Sequence, residues 1–224
     1  PEAFKAIDKV LLPKDYLRFY LSNEFFTDMS DASGTYWLNV GERKWSKKLL
    51  DLCDLTEDNM PQLCEGTSQT GVVSKKIAET YGFDYACKII GGAGDNAAGA
   101  IGLGLISEGE GSISLGTSGV IFTPTSKFKK NYHDATHSFC HCIPNTWHLM
   151  TVMLSCTSNI NWFTETFKIK LEDLFTHFEK KFQSKLDNCP FYLPYLTGER
   201  TPINDPFIRG SFTNIGLQTK LDDM

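Results

Sequence analysis

Residues 91–100 read GGAGDNAAGA, four glycines and four alanines around a single Asp–Asn pair, Asp95 and Asn96. No other stretch limits the fold as much. With so little side-chain bulk, backbone or ligand can approach closely, which suits a tight turn rather than one face of an ordinary helix. The apolar run ACKII (86–90) before it reads as a buried strand, and AAGAIG (97–102) after it as a helix. The segment is therefore a strand–turn–helix with a lone carboxylate at the turn. Asp95 there either caps the helix or does chemistry.

Gly92, Gly94 and Ala97 also fit G-x-G-x-x-A after a strand, the dinucleotide-binding fingerprint. That fingerprint relies on a helix N-terminus whose bare N–H groups and positive dipole end face a pyrophosphate. Asp95 would already supply the negative charge there and repel the phosphates, and no acid stands clearly at a second strand end about 20 residues on. An ionised Asp95 is better used. The same dipole favours its anion, and the small neighbours let a substrate hydroxyl reach it and lose a proton during attack on an electrophile. A helix cap needs no such glycine setting.

A second piece is GSISLGTSGVIFTPT (111–125), two β-rich runs around Gly116-Thr117-Ser118-Gly119. Such a turn directs N–H groups and two hydroxyls toward one spot that can hold a phosphate oxygen, although many turns of this composition only join strands. No G-x-x-x-x-G-K-[ST] sequence is present, which excludes a Walker-type ATPase. An acid and a phosphate cradle about twenty residues apart point to phosphoryl transfer onto a hydroxyl.

Elsewhere the pattern is helical and then β-rich. Pro13 opens a helix through KDYLRFYL, TDMSDASGTYW (27–37) reads as an ordered loop, and Ser46, Thr56 and Ser74 begin short helices, the last ending at Gly82. HSFCHCI and TWHLMTVML flank Pro144-Asn145 as a hairpin, with Cys140 and Cys142 on one face and His141 on the other. Two amphipathic helices follow, then a strand in PFYLPYL, a polar loop TGERTPINDPF, a last strand in GSFTNIGL and the start of a helix at LDDM. Composition shifts near residues 106–108, the expected domain joint.

A net charge of −5 argues against a nucleic-acid or anionic-membrane surface. No apolar run approaches the roughly 20 residues of a membrane helix, and PEAFKAIDKVLL lacks the build of a signal peptide. The missing initiator Met suggests a piece of a longer chain. Seven scattered cysteines read as reduced thiols of a cytoplasmic protein. His137, Cys140, His141, Cys142 and His148 invite a metal reading, but the spacing is that of a strand, and no metal ligands are assigned. Trp37, Trp45, Trp147 and Trp162 are expected in cores or domain contacts, although Trp37 follows a loop long enough to be functional; His133, His148 and His177 carry no functional signal, and Arg200 faces phosphates or pairs with Glu199.

GGAGDNAAGAIG and ISLGTSGVIF together resemble the FGGY family of carbohydrate kinases, and IDKVLLPKDYLRF, TDMSDASGTYWLNV, HSFCHCIPNTWHLMTVMLS and FYLPYLTGERTP extend the resemblance across the chain in order. It implies an α/β, ribonuclease-H-like fold of the actin and hexokinase type, with 1–106 the last part of a sugar-binding domain and 107–224 the first part of a nucleotide-binding one. It implies Asp95 as proton acceptor, Asn96 as a sugar contact, and Gly116, Thr117 and Ser118 as nucleotide-phosphate contacts. The helix that begins SCTSNINW would lie near the nucleotide. ATP and Mg²⁺ are the implied cosubstrate and metal, and D-xylulose, phosphorylated at its terminal hydroxyl, the implied sugar. Another ketose or polyol stays open, as do a non-catalytic sugar-binding remnant and a homodimer. The family's D-x-G-T phosphate motif is absent, so the 224-residue chain alone is expected to be inactive.

Overall fold

The computed structural model describes residues 2–131, 135–182 and 189–224; His133 lies outside them, as does the side chain of His177. After a helical turn α1 (Glu2–Lys5), the helix α2 (Pro13–Ser22) starts with proline in its first turn and ends on Asn23 in the left-handed conformation. β1 (Phe26–Asp28) leads to α3 (Met29–Ala32) and a 3-10 turn at Ser33–Thr35. The loop expected for TDMSDASGTYW is thus largely regular. The Asp28 carboxylate accepts the N–H groups of Ser30 and Asp31 and so caps a helix whose sequence shows no periodicity.

β2 (Leu38–Asn39) and β3 (Lys44–Trp45) form an antiparallel ribbon, followed by α4 (Lys47–Asp51) and a 3-10 turn at Glu57–Asn59 closed by a Thr56–Asn59 capping box. β4 (Gln62–Cys64) runs parallel to β1, with Asp28 opposite Cys64 at the carboxyl ends. β5 (Gln69–Val72) pairs antiparallel with β6 (Lys88–Ile90), and α5 (Lys75–Tyr81) between them ends on Gly82 at φ +74°. β6 is the strand read as buried, and it is not. Among the described residues it pairs only with β5 and is covered on one face: Ile89 packs against Val73, Ile77 and Ala78, while Ile90 is 46% exposed.

α6 (Asp95–Gly102) follows the glycine turn. β7 (Ser112–Leu115), β8 (Gly119–Thr125), β9 (His137–Cys140) and β10 (Trp147–Met153) form a four-stranded sheet in the order β7-β8-β10-β9. β9 stops at Cys140, so the alternation expected through Cys142 breaks. Cys140, His141 and Cys142 are all buried, and the His141 ring turns back so that Nδ1 accepts the Ile143 N–H and lies 3.4 Å from Cys142 Sγ. α7 (Thr157–Phe167) and α8 (Leu171–Phe182) precede β11 (Phe191–Leu193), which pairs antiparallel with β12 (Ser211–Thr213); a 3-10 turn, Leu221–Asp223, stands where a helix was expected to begin. Among the described residues no helix is long and apolar enough to cross a membrane.

Contacts divide the chain into two compact units. The first comprises Pro1–Gly111, Phe122–Lys130 and Ser138–Leu149. Its core includes Leu50, Leu55 and Met60 with Trp37 and Trp45 against them, and Ala32, Leu38 and Cys140 with Trp45 and Trp147 against them. The second comprises Ser112–Ile121, Asn131–His137 and Met150–Met224. There Trp162 stacks on Tyr192, and Tyr192 and Phe163 both meet Phe212. The four tryptophans pack as expected.

Candidate active site

The glycine turn of the first unit is held from several sides. The Gly91 and Gly92 N–H groups donate to the carbonyls of Ser68 (2.8 Å) and Gly66 (2.9 Å), just beyond the carboxyl end of β4. The Arg18 guanidinium donates to the Gly91 carbonyl, and the Gly94 N–H donates to Ser30 Oγ at 2.9 Å. Two glycines are required sterically. A Cβ on Gly91 would stand 2.4 Å from the Glu65 carbonyl oxygen, and Gly92 adopts φ +76°.

This turn delivers Asp95 to the first position of α6 with its side chain exposed. The N-cap is Gly94, which has no side chain to bond the helix, and Asp95 stands one position after it. Asp95 Oδ1 accepts the Asn96 backbone N–H at 2.7 Å and its Nδ2 at 3.0 Å. The carboxylate stands at the positive end of a helix dipole.

Behind the turn lies a charge cluster that the sequence reading missed: Lys14, Asp15, Arg18, Asp28 and Asp31. Asp15, Arg18 and Asp28 are at most 5% exposed. Arg18 bonds Asp15 at 2.9 Å and the Phe26 carbonyl at 2.7 Å, and Lys14 bridges Asp28 at 2.5 Å, Asp15 at 3.1 Å and Asp31 at 3.6 Å. Burial draws the Lys14 ammonium down, but the hydrogen bond and charge of Asp28, with Asp15 behind, outweigh it and hold its pKa above the ordinary lysine value. Burial raises the Asp31 carboxyl, opposed by Lys14 and reinforced by Asp28 and Asp15. Asp31 abuts Gly94, where an added Cβ would lie 3.5 Å from its Oδ1. The signal existed in KDYLR, where Asp15 and Arg18 share a helix face, but the same spacing serves a solvated ion pair.

The Gly116–Ser118 turn belongs to the second unit, joins β7 to β8 and is exposed. Its carbonyls meet the start of α7. The Cys156 N–H and Ser158 Oγ donate to Thr117, and the Thr157 N–H and Oγ1 donate to Gly116. Ser118 Oγ is turned away, donating to the Leu154 carbonyl at 3.3 Å, so one of the two expected hydroxyls is already engaged. Among the described residues the N–H groups of Thr117 and Ser118 and the Thr117 hydroxyl make no hydrogen bond. Both residues are exposed, so three unbonded donors are available there, as an anion cradle requires. The buried Asn159 amide steadies this helix start by donating to the Ser155 and Cys156 carbonyls and accepting from the Tyr192 hydroxyl.

Glu199 is 2% exposed, and its carboxylate accepts the N–H groups of Leu154 and Arg200. It anchors the TGERTP loop through backbone rather than through the Arg200 guanidinium. Arg200 is exposed, and its charge adds to burial in lowering the His137 pKa. Among the described residues no three His, Cys, Asp or Glu side chains cluster to hold a metal ion, and the seven cysteines are free thiols.

Sequence-family profiles match nearly the whole chain. The profile for the N-terminal domain of the FGGY family of carbohydrate kinases covers residues 1–102, and that for its C-terminal domain covers 111–224. The xylulose kinase of Escherichia coli (strain K12) is 44% identical over 218 residues, 97% of this chain and 45% of that enzyme. The xylulose kinase of Klebsiella pneumoniae is 44% identical over 216 residues, 96% of this chain and 44% of that enzyme. Among solved structures, a xyloylose kinase from Brucella ovis superposes with a TM-score of 0.90 at 42% identity, covering 98% of this chain and 45% of that one. The fold is accordingly the actin and hexokinase type expected. The chain spans about half the length of the curated relatives it matches.

Proposed function

The chain belongs to the FGGY family of carbohydrate kinases, and from that premise we propose that it supplies the catalytic base and part of the phosphate site of an enzyme that phosphorylates D-xylulose with ATP. Residues 1–106 are the last part of the sugar-binding domain and 107–224 the first part of the nucleotide-binding domain, a division consistent with the separate profiles over 1–102 and 111–224. D-xylulose as substrate is favoured by the xylulose kinases at 44% identity.

In this reading Asp95 accepts the proton of the terminal sugar hydroxyl as that oxygen attacks the γ-phosphorus of ATP and the bond from that phosphorus to the β,γ-bridging oxygen breaks, releasing ADP. Asn96 hydrogen-bonds the carboxylate and helps to fix its orientation, and its amide is placed to contact the sugar. The Thr117 and Ser118 N–H groups and the Thr117 hydroxyl bind nucleotide phosphate oxygens; Gly116 lets phosphate approach the backbone, and Ser118 contributes its N–H rather than its hydroxyl. Mg²⁺ is assigned to the nucleotide, where it would offset phosphate charge.

The observation that carries the reading is an exposed carboxylate at the first position of a helix whose N-cap is glycine. The test is a chimera in which this chain replaces the matching stretch of the E. coli xylulose kinase. Asp95→Ala should lower kcat for D-xylulose by about 10²- to 10⁴-fold, the usual contribution of a positioned base, while ATP affinity by calorimetry stays unchanged. Near-normal turnover would reduce Asp95 to a structural acid. Equal or better kcat/KM with another ketose or a polyol would displace D-xylulose as the substrate.

A further inference from the structure

The Asp95 side chain is exposed, and among the described residues its hydrogen bonds go only to its neighbour Asn96. Asn96 helps to orient the carboxylate but follows it on the same helix, so where the carboxylate stands depends on the backbone before it. That backbone is Gly-Gly-Ala-Gly, the chain type with the widest conformational freedom. Something outside the turn has to fix it, and two side chains from other elements bond its two ends. Arg18 of α2 donates to the carbonyl of Gly91, and Ser30 of α3 accepts the N–H of Gly94.

Both are themselves fixed by buried carboxylates. Arg18 is held by Asp15 and by the Phe26 carbonyl. Asp28, with 0% exposure, accepts both the N–H and the hydroxyl proton of Ser30, and Lys14 balances its charge. Ser30 Oγ thus donates to Asp28 while accepting from Gly94, a pair of roles that only a hydroxyl fills at this reach. Buried charge networks are weak sources of stability. Here their effect is geometric, because both chains of bonds end on the turn that carries Asp95.

We propose that Ser30 and Arg18 are positioning residues that fix the Asp95 carboxylate through opposite ends of the glycine turn; the proposal rests on the reading of Asp95 as the base. A misplacement of about 1 Å can cost about 10²-fold in rate. In the chimera described above, Ser30→Ala should lower kcat about 10- to 100-fold with KM for ATP unchanged. Hydrogen–deuterium exchange should speed up in the peptide covering 91–98. On an Asp95→Asn background the same substitution should cost nothing further, because a base that is absent cannot be misplaced. Arg18→Lys, which keeps the charge beside Asp15 but not the reach to Gly91, should behave alike.

Normal kcat in a folded Ser30→Ala or Arg18→Lys variant would overturn the proposal, as would a loss that multiplies in full on the Asp95→Asn background. Failure of both variants to fold would also overturn it, since the pair would then be holding the domain and not the turn. The two levels separate cleanly. If Asp95→Asn keeps turnover, the base reading has failed; if Asp95→Asn is inactive while Ser30→Ala is normal, only the positioning has.

Discussion

Gly66 offers a way to disturb the glycine turn without touching a charged or reacting group. A Cβ built on it would lie 2.6 Å from the Gly92 carbonyl oxygen, 2.7 Å from the Cys142 carbonyl oxygen and 2.8 Å from Cys142 Cβ. Real Cβ contacts essentially never fall below 3.0 Å, so something must move by at least about 0.4 Å. None of the three atoms can swing aside, since two are backbone oxygens and the third is a Cβ. Gly92 is the free side of the contact, because its neighbours are glycine and alanine. Overpacking of this kind costs about 1–3 kcal/mol, and with a urea m-value of about 2 kcal/mol/M the midpoint of Gly66→Ala should fall by about 1 M. The same displacement, about half of the 1 Å that can cost 10²-fold, should reduce kcat of the chimera about tenfold. Gly99→Ala is the control, since nothing lies within 4 Å of its added Cβ. In mid-helix it should raise stability by up to about 1 kcal/mol. A Gly66→Ala variant with an unmoved urea midpoint and full turnover would show that the turn yields freely, and the account of a tightly held base would be wrong.

Two further outcomes follow from titrating groups. The Ser126 hydroxyl, Lys129 and the Ser126 N–H hold the exposed Glu108 carboxyl down at about 2, against an ordinary 4.5. A depressed folded-state pKa means that the unfolded chain binds the proton first. This stabilisation is therefore complete above about pH 4.5 and lost as pH falls toward 2. Glu108→Gln should flatten that limb of the acid-unfolding curve, and added salt should shrink the difference, since the pair is exposed; identical curves at low salt would contradict the assignment. Burial pushes the Cys64 thiol up to about 11 and also raises Cys140 and Cys142, whereas Cys53 is exposed. At pH 8 Cys64 is then about one part in a thousand thiolate, so a maleimide should label Cys53 first, and early labelling of Cys64 in folded protein, read by mass spectrometry, would count against its burial.

The sequence by itself determined the elements whose causes are local. Pro13 at a helix start, Gly82 at a helix end, the turn at Pro144-Asn145 and the strand–turn–strand around Gly116–Ser118 each follow from the residue types that their backbone angles require. The position of Asp95 at the start of a helix was legible for the same reason. Tertiary structure decided what depends on distant partners. β6 looked buried because ACKII is apolar, but whether a strand is covered on one face or two depends on its neighbours, and among the described residues β6 pairs only with β5. TDMSDASGTYW looked like a loop because the cap that orders α3 is a carboxylate fixed from outside by Lys14. The Ser118 hydroxyl looked available until the Leu154 carbonyl was found to accept it. The supports of the glycine turn were the least visible part. Arg18 lies 73 positions from Gly91 and Ser30 lies 64 from Gly94, and only the folded chain brings such pairs within hydrogen-bond reach.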